Sequence, residues 1–435
     1  MGKIYAVAGN PVFHSRSPGI FNAAFRKLSL DAVYVRLAAF TAEEVISTAR
    51  EVGIKGLNIT SPFKTDVIPF LDEVEADAQR VGSVNTVVEK DGRLIGYNTD
   101  VAGVVGALRE SDFEPKGKKA VVVGAGGAGR AAALALLSSG ADVVLVNRTA
   151  AKADEAARML GCDALPLERI GDALKGAHLL ISSISSNGRV IEPSLLSKDL
   201  TLLEANYGRL TALLQDATDA GCRVIDGRLW LLHQALPAFT LFTGKGAPAK
   251  HMRKALWKKR WAPHRNIALI GFMGTGKSSV AREIAGLSGL TFIDTDRAVE
   301  ARAGLPVAEI FDLKGEETFR MMEQAELQEL WTLSHSVVSC GGGAVLSKRN
   351  RRVLRSTCVP VWLWADVHTA LTRIGETDTR PLLNGQSPES RARALLQERL
   401  FLYACTCDLL INTKGESPNQ IATRIWDEVH YAFDN

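Results

Sequence analysis

Apolar residues come in short blocks separated by longer amphipathic stretches along most of the chain. Runs at 4–8, 32–37, 56–60, 84–89, 120–123, 142–146, 178–182, 200–205, 266–270, 291–293, 336–339 and 359–363 are short, apolar and rich in branched residues. Such runs suit buried strands. Segments 127–139, 150–160, 277–288 and 316–333 have helical length between them. Strands alternating with helices predict an α/β architecture with mainly parallel sheets. No repeat of about 20–50 residues is visible, which argues against a solenoid.

Length and composition sharpen this picture. At about 150 residues per domain, 435 residues suggest roughly three structural units. Hydrophobic residues make up 46% and charged residues 23%, ordinary values for a globular protein and against long disorder. No apolar run approaches the roughly 18 residues of a membrane span. The opening residues 1–9 read as a start followed at once by a strand, without the apolar stretch of a signal peptide. The six cysteines, at 162, 222, 340, 358, 405 and 407, form no CxxC motif or Cys/His ligand cluster. Reduced thiols and a cytoplasmic location are the expectation. The net charge of +4 hides an uneven distribution. Residues 244–265 carry eight Lys and Arg and no acid, and subtracting them leaves 44 basic against 48 acidic residues. This stretch reads as a solvated helix face and a linker, so nucleic-acid and membrane partners are not expected, and oligomerisation is left open.

Two glycine-rich loops mark the chemistry. The first follows the 120–123 run as Gly124-Ala125-Gly126-Gly127-Ala128-Gly129 and opens a helix. Glycines there allow a tight turn and bring backbone N–H groups to a pyrophosphate at the helix N-terminus. A second strand arrives on schedule at 142–146, so the spacing predicts a dinucleotide site. That strand ends in Asn147-Arg148-Thr149, with Lys152 three residues on. An acid at this place would hold a ribose 2′-hydroxyl. An amide, a guanidinium, a hydroxyl and an ammonium suit a 2′-phosphate instead, which favours NADP(H) over NAD(H).

Polar loops lie upstream at Ser15-Arg16-Ser17-Pro18, Asn58 to Lys64, Asn85-Thr86 and Asn98-Thr99-Asp100. Together with Gly9-Asn10-Pro11, the glycine loop, Asn147-Arg148-Thr149 and Gln234-Ala235, they make residues 1–258 resemble the shikimate dehydrogenases. The resemblance implies an α/β substrate-binding domain over 1–105, completed by 226–258, and an NADP-binding Rossmann domain over 106–225. It implies NADPH-dependent reduction of 3-dehydroshikimate to shikimate. Ser15, Ser17, Thr60, Lys64, Asn85, Asp100, Tyr207 and Gln234 would hold the substrate, with Lys64 and Asp100 as the catalytic pair. Gly124, Gly126, Gly127, Ala128, Gly129, Asn147, Arg148, Thr149 and Lys152 would hold the cofactor. The chemistry is sensible in itself, because an ammonium oriented by a carboxylate is a suitable general acid for a nascent alkoxide. Three segments depart from the family pattern: Leu229 stands at an expected glycine, Ser182-Ser183-Ile184 replaces an Asn-Ala-Thr pattern, and the segment around Tyr207 lacks a proline.

The second loop follows the 266–270 run as Gly271-Phe272-Met273-Gly274-Thr275-Gly276-Lys277-Ser278, again opening a helix. This is G-x-x-x-x-G-K-[ST] in strand–loop–helix context, a site for a nucleoside triphosphate and Mg²⁺. Asp294-Thr295-Asp296, Phe319-Arg320, Cys340-Gly341-Gly342-Gly343, Arg380-Pro381 and Arg399 follow. In this order they make residues 265–435 resemble the shikimate kinases, P-loop enzymes with a central parallel sheet. The resemblance implies that Gly271, Gly274, Thr275, Gly276, Lys277, Ser278, Ser279, Arg373, Arg380 and Pro418 bind ATP. It implies that Asp296, Arg320, Gly341, Gly342, Gly343 and Arg399 bind shikimate. Lys277, Asp294 and Arg380 would act in catalysis, and Ser278 with Asp294 would hold Mg²⁺. The charged segment 373–391 reads as a lid.

The first half's product is the second half's substrate, so the expectation is a bifunctional enzyme of the shikimate pathway taking small-molecule substrates. Two alternatives stand beside it. One is a kinase fused to a weakly catalytic module that senses shikimate or NADP(H), and the other is a first half that prefers quinate. A linker is expected at 259–264, and the halves on either side are expected to fold and act independently.

Overall fold

The glycine loop at 124–129 sits at the end of the central strand of a parallel sheet. The six strands run in space as Arg223–Ile225, Thr201–Glu204, Leu179–Ser182, Lys119–Val123, Asp142–Asn147 and Asp163–Pro166. Every neighbouring pair is parallel. Alternate residues of one strand reach opposite layers: Ala120 and Val122 join one buried cluster, Val121 and Val123 the other. A parallel sheet covered on both faces reads as a near-continuous apolar run, which is why these strands are visible in the sequence. The chain leaves Lys119–Val123 for one side and later returns to the other, so the loop occupies the point where strand order reverses.

The computed structural model describes residues 2–184, 188–207, 210–258, 266–374 and 387–433, with side chains as far as residue 430. The expected linker at 259–264 lies outside the described residues. The chain forms two compact units. One holds Gly19–Leu28 and Gly56–Lys258; the other holds Met1–Pro18, Ser29–Lys55 and Lys259–Asn435. The first unit carries the six-stranded sheet and the antiparallel pairing of Thr86–Lys90 with Arg93–Tyr97. The long helix Gly227–Thr243 returns beside helix Asp100–Glu110, where a Cβ on Gly103 would meet the Trp230 ring at 2.6 Å.

In the other unit the strands run Thr291–Asp294, Ser336–Ser339, Ile267–Ile270, Val359–Trp364, Leu409–Asn412, Ala32–Ala38 and Lys3–Gly9. All are parallel to their neighbours. The second phosphate loop leaves Ile267–Ile270, a central strand of this set. The grouping cuts across the motif boundaries at 105 and 265. Its physical reason is the strand Leu409–Asn412, absent from the sequence expectations, which pairs with Val359–Trp364 on one side and with Ala32–Ala38 on the other. Strand edges left open expose unpaired N–H and C=O groups, and this pairing covers the Leu37–Ala38 end of the edge.

All twelve expected strands are present within a residue or two. Glu73–Val74, Arg93–Tyr97, Asp163–Pro166, Arg223–Ile225 and Leu409–Asn412 were not expected. The helix expected at 316–333 belongs to a longer one, Val307–Glu329, broken at Gly315, whose φ of 79° is left-handed. Among the described residues no helix is long and apolar enough to cross a membrane.

Candidate active sites

Lys64 lies in the loop after strand Ile54–Ile59, and Asp100 is the first residue of helix Asp100–Glu110. A carboxylate there is favoured by the unpaired N–H groups of the first helical turn. Lys64 Nζ is 2.5 Å from Asp100 Oδ2, and their side chains are only 17% and 8% exposed. The other carboxylate oxygen, Oδ1, accepts a 3.3 Å hydrogen bond from Trp230 Nε1. Asn98 Oδ1 accepts from the Asp100 N–H at 3.0 Å. Asn98 therefore holds the Asp100 main chain, Trp230 holds one carboxylate oxygen, and the other oxygen faces the ammonium.

A buried amide and hydroxyl network adjoins this pair. Asn85 Oδ1 accepts from the Thr99 N–H at 2.7 Å, and Asn85 Nδ2 donates to Gln234 Oε1 at 3.3 Å. Thr86 Oγ1 donates to Asn85 Oδ1 at 3.0 Å, and Asn58 Nδ2 donates to Thr86 Oγ1 at 3.0 Å. Buried polar groups that satisfy one another in this way are rigid. Thr60 and Tyr207 are half-buried in the same unit. Ser15 and Ser17 are buried in the other unit, where the Ser17 N–H donates to Ser15 Oγ at 3.3 Å.

The glycine loop borders Lys64. A Cβ on Gly127 would lie 2.7 Å from Ser83 Oγ and 3.3 Å from Lys64 Cβ. Arg130, one turn into the helix Gly127–Ser138, donates to Gly82 O at 2.8 Å and so ties the cofactor helix to the loop before Asn85. Gly126, the N-cap, contributes no side chain to the helix N-terminus, which leaves its N–H groups for an anion. Ala128 packs against the sheet core. Gly124 has φ 108°, and a Cβ on Gly129 would sit 1.7 Å from Gly124 O. Asn147 Oδ1 accepts from the Ala125 N–H at 3.2 Å and Asn147 Nδ2 donates to Thr149 O at 3.1 Å, so this amide shapes the loop. Arg148, Thr149 and Lys152 are exposed beside it. This donor set, with no acid at the strand end, fits a 2′-phosphate.

The departures have local accounts. Ser183 Oγ donates to Val123 O at 3.0 Å, bracing the start of the glycine loop. Leu229 packs against the sheet core. Asn206 Nδ2 donates to Ile184 O at 2.8 Å, linking the second and third departures.

The second site gathers around helix Lys277–Ser288. Gly271, Gly274 and Gly276 all have positive φ, at 147°, 74° and 87°. A Cβ on Gly274 would meet Ala370 O at 2.2 Å, so only glycine serves there. Thr275 Oγ1 and Lys277 Nζ both donate to Phe272 O, at 2.9 and 2.8 Å. Ser278 Oγ donates to Asp294 Oδ2 at 2.8 Å and lies 3.0 Å from Ser339 Oγ. Asp294 Oδ1 caps helix Thr295–Ala303 through the Asp296 and Arg297 N–H groups. A hydroxyl beside a carboxylate is a hard-oxygen donor pair, suited to Mg²⁺. Lys277, Ser278, Ser279, Asp296, Gly342 and Arg373 line a cavity of about 200 Å³.

Asp296, Arg320, Gly341, Gly342, Gly343 and Arg399 come together. Cβ atoms on Gly341 and Gly343 would lie 2.6 Å from Asp296 Oδ1 and 2.2 Å from Arg320 Nη1. Gly342 O accepts from Arg399 Nη1 at 3.4 Å and from the Tyr403 hydroxyl at 2.5 Å. Arg320 Nη1 donates to Glu323 Oε2 at 3.0 Å. Burial pushes the Glu323 carboxyl up, and Arg320 and Arg399 pull it back. Arg373 Nη1 donates to Thr413 Oγ1 at 2.8 Å, and Pro418 is the exposed first residue of helix Pro418–Phe433. Arg380 and lid residues 375–386 lie outside the described residues.

Family models match successive parts of the chain. The shikimate dehydrogenase substrate binding domain matches residues 7–87, the shikimate/quinate 5-dehydrogenase model matches 107–203, and the shikimate 5′-dehydrogenase C-terminal domain matches 231–256. The NADP(+) shikimate dehydrogenase of Pyrococcus abyssi is 40% identical over 257 residues, covering 58% of this chain and 96% of that protein. The chain belongs to the shikimate dehydrogenase family. The corresponding protein of Natronomonas pharaonis is 42% identical, covering 58% of this chain and 98% of its own. Shikimate 5-dehydrogenase from Thermus thermophilus, solved with NADP(H) and shikimate, superposes with a TM-score of 0.54 at 34% identity, over 58% of this chain and 98% of that one. The shikimate kinase model matches residues 273–430, so this dehydrogenase is fused to a shikimate kinase. Both enzyme classes, oxidoreductase and kinase, and NADP as cofactor follow from these relatives.

Residues beyond the sequence candidates support both sites. Trp230 joins the already noted Asn98 in holding Asp100, and Glu323 and Tyr403 hold the kinase glycines and arginines. Glu323 had a signal, since an acid three positions after an arginine on a helix shares its face. Trp230 had none, because its partner is 130 positions away.

The glycine loop generates a first prediction. Gly129→Ala places a methyl group on backbone that cannot yield, so NADP(H) binding, followed by cofactor fluorescence titration, is expected to be lost while shikimate phosphorylation persists. Parental NADPH affinity in this variant would show that the loop is not the cofactor cradle.

Proposed function

We propose that the chain reduces 3-dehydroshikimate to shikimate with NADPH and phosphorylates shikimate to shikimate 3-phosphate with ATP. The observation that carries the first activity is the Lys64–Asp100 pair, 2.5 Å apart and bordering the dinucleotide loop.

NADPH, when bound, supplies the reducing equivalent to the substrate ketone. Lys64 donates its proton to the oxygen that becomes the new hydroxyl. Asp100 keeps the ammonium oriented, and Trp230 keeps Asp100 in place. Ser15, Ser17, Thr60, Asn85, Tyr207 and Gln234, with Asp100, hold the substrate's carboxylate and ring hydroxyls. Arg148 and Lys152, with Asn147 and Thr149, select the 2′-phosphate.

For the second activity, Arg320 and Arg399 hold the shikimate carboxylate, with Gly341–Gly343 allowing close approach. Asp294 and Asp296 orient the attacking hydroxyl. Lys277 and the loop N–H groups neutralise the phosphate chain, and Ser278 with Asp294 would hold Mg²⁺, which neutralises further phosphate charge when bound. Arg373, Ser279 and Pro418 flank the nucleotide, and Arg380 serves the transferring group. Phosphoryl transfer depends mostly on such positioning and charge. The functional domains proposed are 1–105 with 226–258, 106–225 and 265–435.

The decisive experiment assays the full chain for NADP⁺-dependent oxidation of shikimate and of quinate, each with NADP⁺ and NAD⁺, and for ATP-dependent phosphorylation of shikimate. Phosphorylation without oxidation of either substrate would leave the first half as a binding module. Preference for quinate would change its substrate.

Three variants probe the roles. Lys64→Met is expected to lower dehydrogenase kcat by roughly 10²–10⁴ with NADPH binding intact, the scale of a lost general acid. A parental rate would remove Lys64 from the mechanism. Lys277→Ala is expected to abolish phosphorylation and spare the dehydrogenase, since that ammonium neutralises developing phosphate charge; retained kinase turnover would count against the role given to the loop. Replacing Arg148 and Lys152 together with Ala is expected to weaken NADP(H) by about 1.5–3 kcal/mol per charged contact and NAD(H) far less. Equal weakening of both cofactors would argue against a 2′-phosphate site.

A further inference from the structure

The last helix of the kinase portion, Pro418–Phe433, carries a buried carboxylate that the kinase chemistry does not use. Glu428 is 2% exposed. Its Oε1 and Oε2 accept from the Val12 N–H at 3.0 and 2.9 Å, and Oε2 also accepts from the Phe13 N–H at 2.7 Å. Val12 and Phe13 are themselves buried, so their N–H groups need a protein partner. They begin the loop that joins strand Lys3–Gly9 to helix Ser17–Lys27 and carries Ser15 and Ser17.

The loop is held further along as well. The Ser15 N–H donates to Val12 O at 3.0 Å, and the Ser17 N–H donates to Ser15 Oγ at 3.3 Å. Arg36 Nη2 donates to Ser15 O at 2.8 Å while its Nη1 donates to Asp408 O at 3.3 Å, just before strand Leu409–Asn412. The loop is thus clamped at Val12–Phe13 by Glu428 and at Ser15 through Arg36 and Asp408. Two of the groups that fix it, Glu428 and the Asp408 carbonyl, come from the kinase portion.

We infer that Glu428 is a positioning residue for the dehydrogenase: through the Val12 and Phe13 N–H groups it sets the place of Ser15 and Ser17, and so the affinity of the dehydrogenase for its carboxylate substrate. The inference rests on the proposed role of the two serines. It means that the loop carrying both serines is held by the kinase portion, against the expectation that the halves act independently. Burial raises the Glu428 carboxyl's affinity for its proton, and the two N–H groups with Arg36 and Arg424 oppose that.

The test uses the full chain with Glu428→Leu, which keeps bulk and removes both acceptors, and Glu428→Gln, which keeps one. The Leu variant is expected to raise the dehydrogenase KM for shikimate by roughly 10- to 100-fold, the scale of stranding buried donors, with kcat and the KM for NADP⁺ little changed. The Gln variant is expected to recover part of the loss, and kinase kcat and KM stay at parental values in both. Parental dehydrogenase KM in the Leu variant overturns the inference. Should the Leu variant lose both activities together, the Gln variant decides: a selective rise in dehydrogenase KM supports positioning, and parallel losses or no change overturn it. Hydrogen exchange at the Val12 and Phe13 amides gives a reading independent of catalysis. Faster exchange confined to that loop in the Gln variant supports the clamp, and unchanged protection overturns it. A parental chain without any shikimate oxidation refutes the proposed function, and the exchange measurement still judges the clamp.

Discussion

An open strand edge is the constraint on which much of this molecule turns. Ala32–Ala38 pairs with Lys3–Gly9 on one side, and its other side presents main-chain groups that must find partners. Leu409–Asn412 supplies them at one end, with Leu410 opposite Leu37 and Ile411 opposite Ala38. Once that register is set, polar side chains near the junction pair in turn. Asn412 Nδ2 donates to Thr48 Oγ1 at 2.8 Å, and Trp364 Nε1 donates to Glu51 Oε2 at 3.0 Å. Arg424, 3% exposed, lies 2.7 Å from Glu44. Removing one partner of a buried ion pair costs about 3–5 kcal/mol, because the other charge stays behind unpaired. These contacts therefore fix the pairing more through the penalty for losing them than through their net attraction.

The two phosphate loops solve one problem by different means. Each leaves the C-terminal end of a central parallel strand and opens a helix whose N-terminus lacks a side-chain cap. The first loop achieves close approach by packing glycine on glycine, Gly129 against the Gly124 carbonyl. It has no charge of its own, and the exposed cations Arg148 and Lys152, to which we assign the reading of the ribose, stand beyond the next strand. The second loop carries its charge within it, as Lys277, and places a hydroxyl against the Asp294 carboxylate. A dinucleotide needs its pyrophosphate held and its ribose read, whereas a triphosphate about to be cleaved needs its charge neutralised. The residue types follow those two demands.

Much of this was legible in the chain because it is local. Phosphate loops, helix starts and buried parallel strands each write their requirement into a few consecutive residues. Lys64 and Asp100 were legible as candidates, and the structure adds that they touch. The strand at 409–412 was not legible: three apolar residues and an asparagine after a long helix carry too little periodicity to separate a strand from a helix end. Glu428 was less so, because nothing in the run Trp426-Asp427-Glu428 separates a buried acceptor from a solvated acid. Its meaning depends on two N–H groups more than four hundred positions away. Contacts of that kind are visible only once the fold has brought the segments together.

The departures from the dehydrogenase pattern show what a motif mismatch means physically. A missing motif residue matters when the position it leaves has lost a function that its replacement cannot supply. Ser183 is a polar residue at a strand end, and its hydroxyl donates to the Val123 carbonyl beside the glycine loop. Leu229 stands where glycine was expected and finds apolar neighbours in the sheet core. The glycine that geometry demands is Gly227, where a Cβ would come within 2.1 Å of the Glu204 carbonyl, and that glycine is retained. Asn206 spans the gap between two of the altered segments by donating to the Ile184 carbonyl. Two of the altered segments are thus joined by a hydrogen bond beside the cofactor loop, and the third fills apolar space in the sheet core.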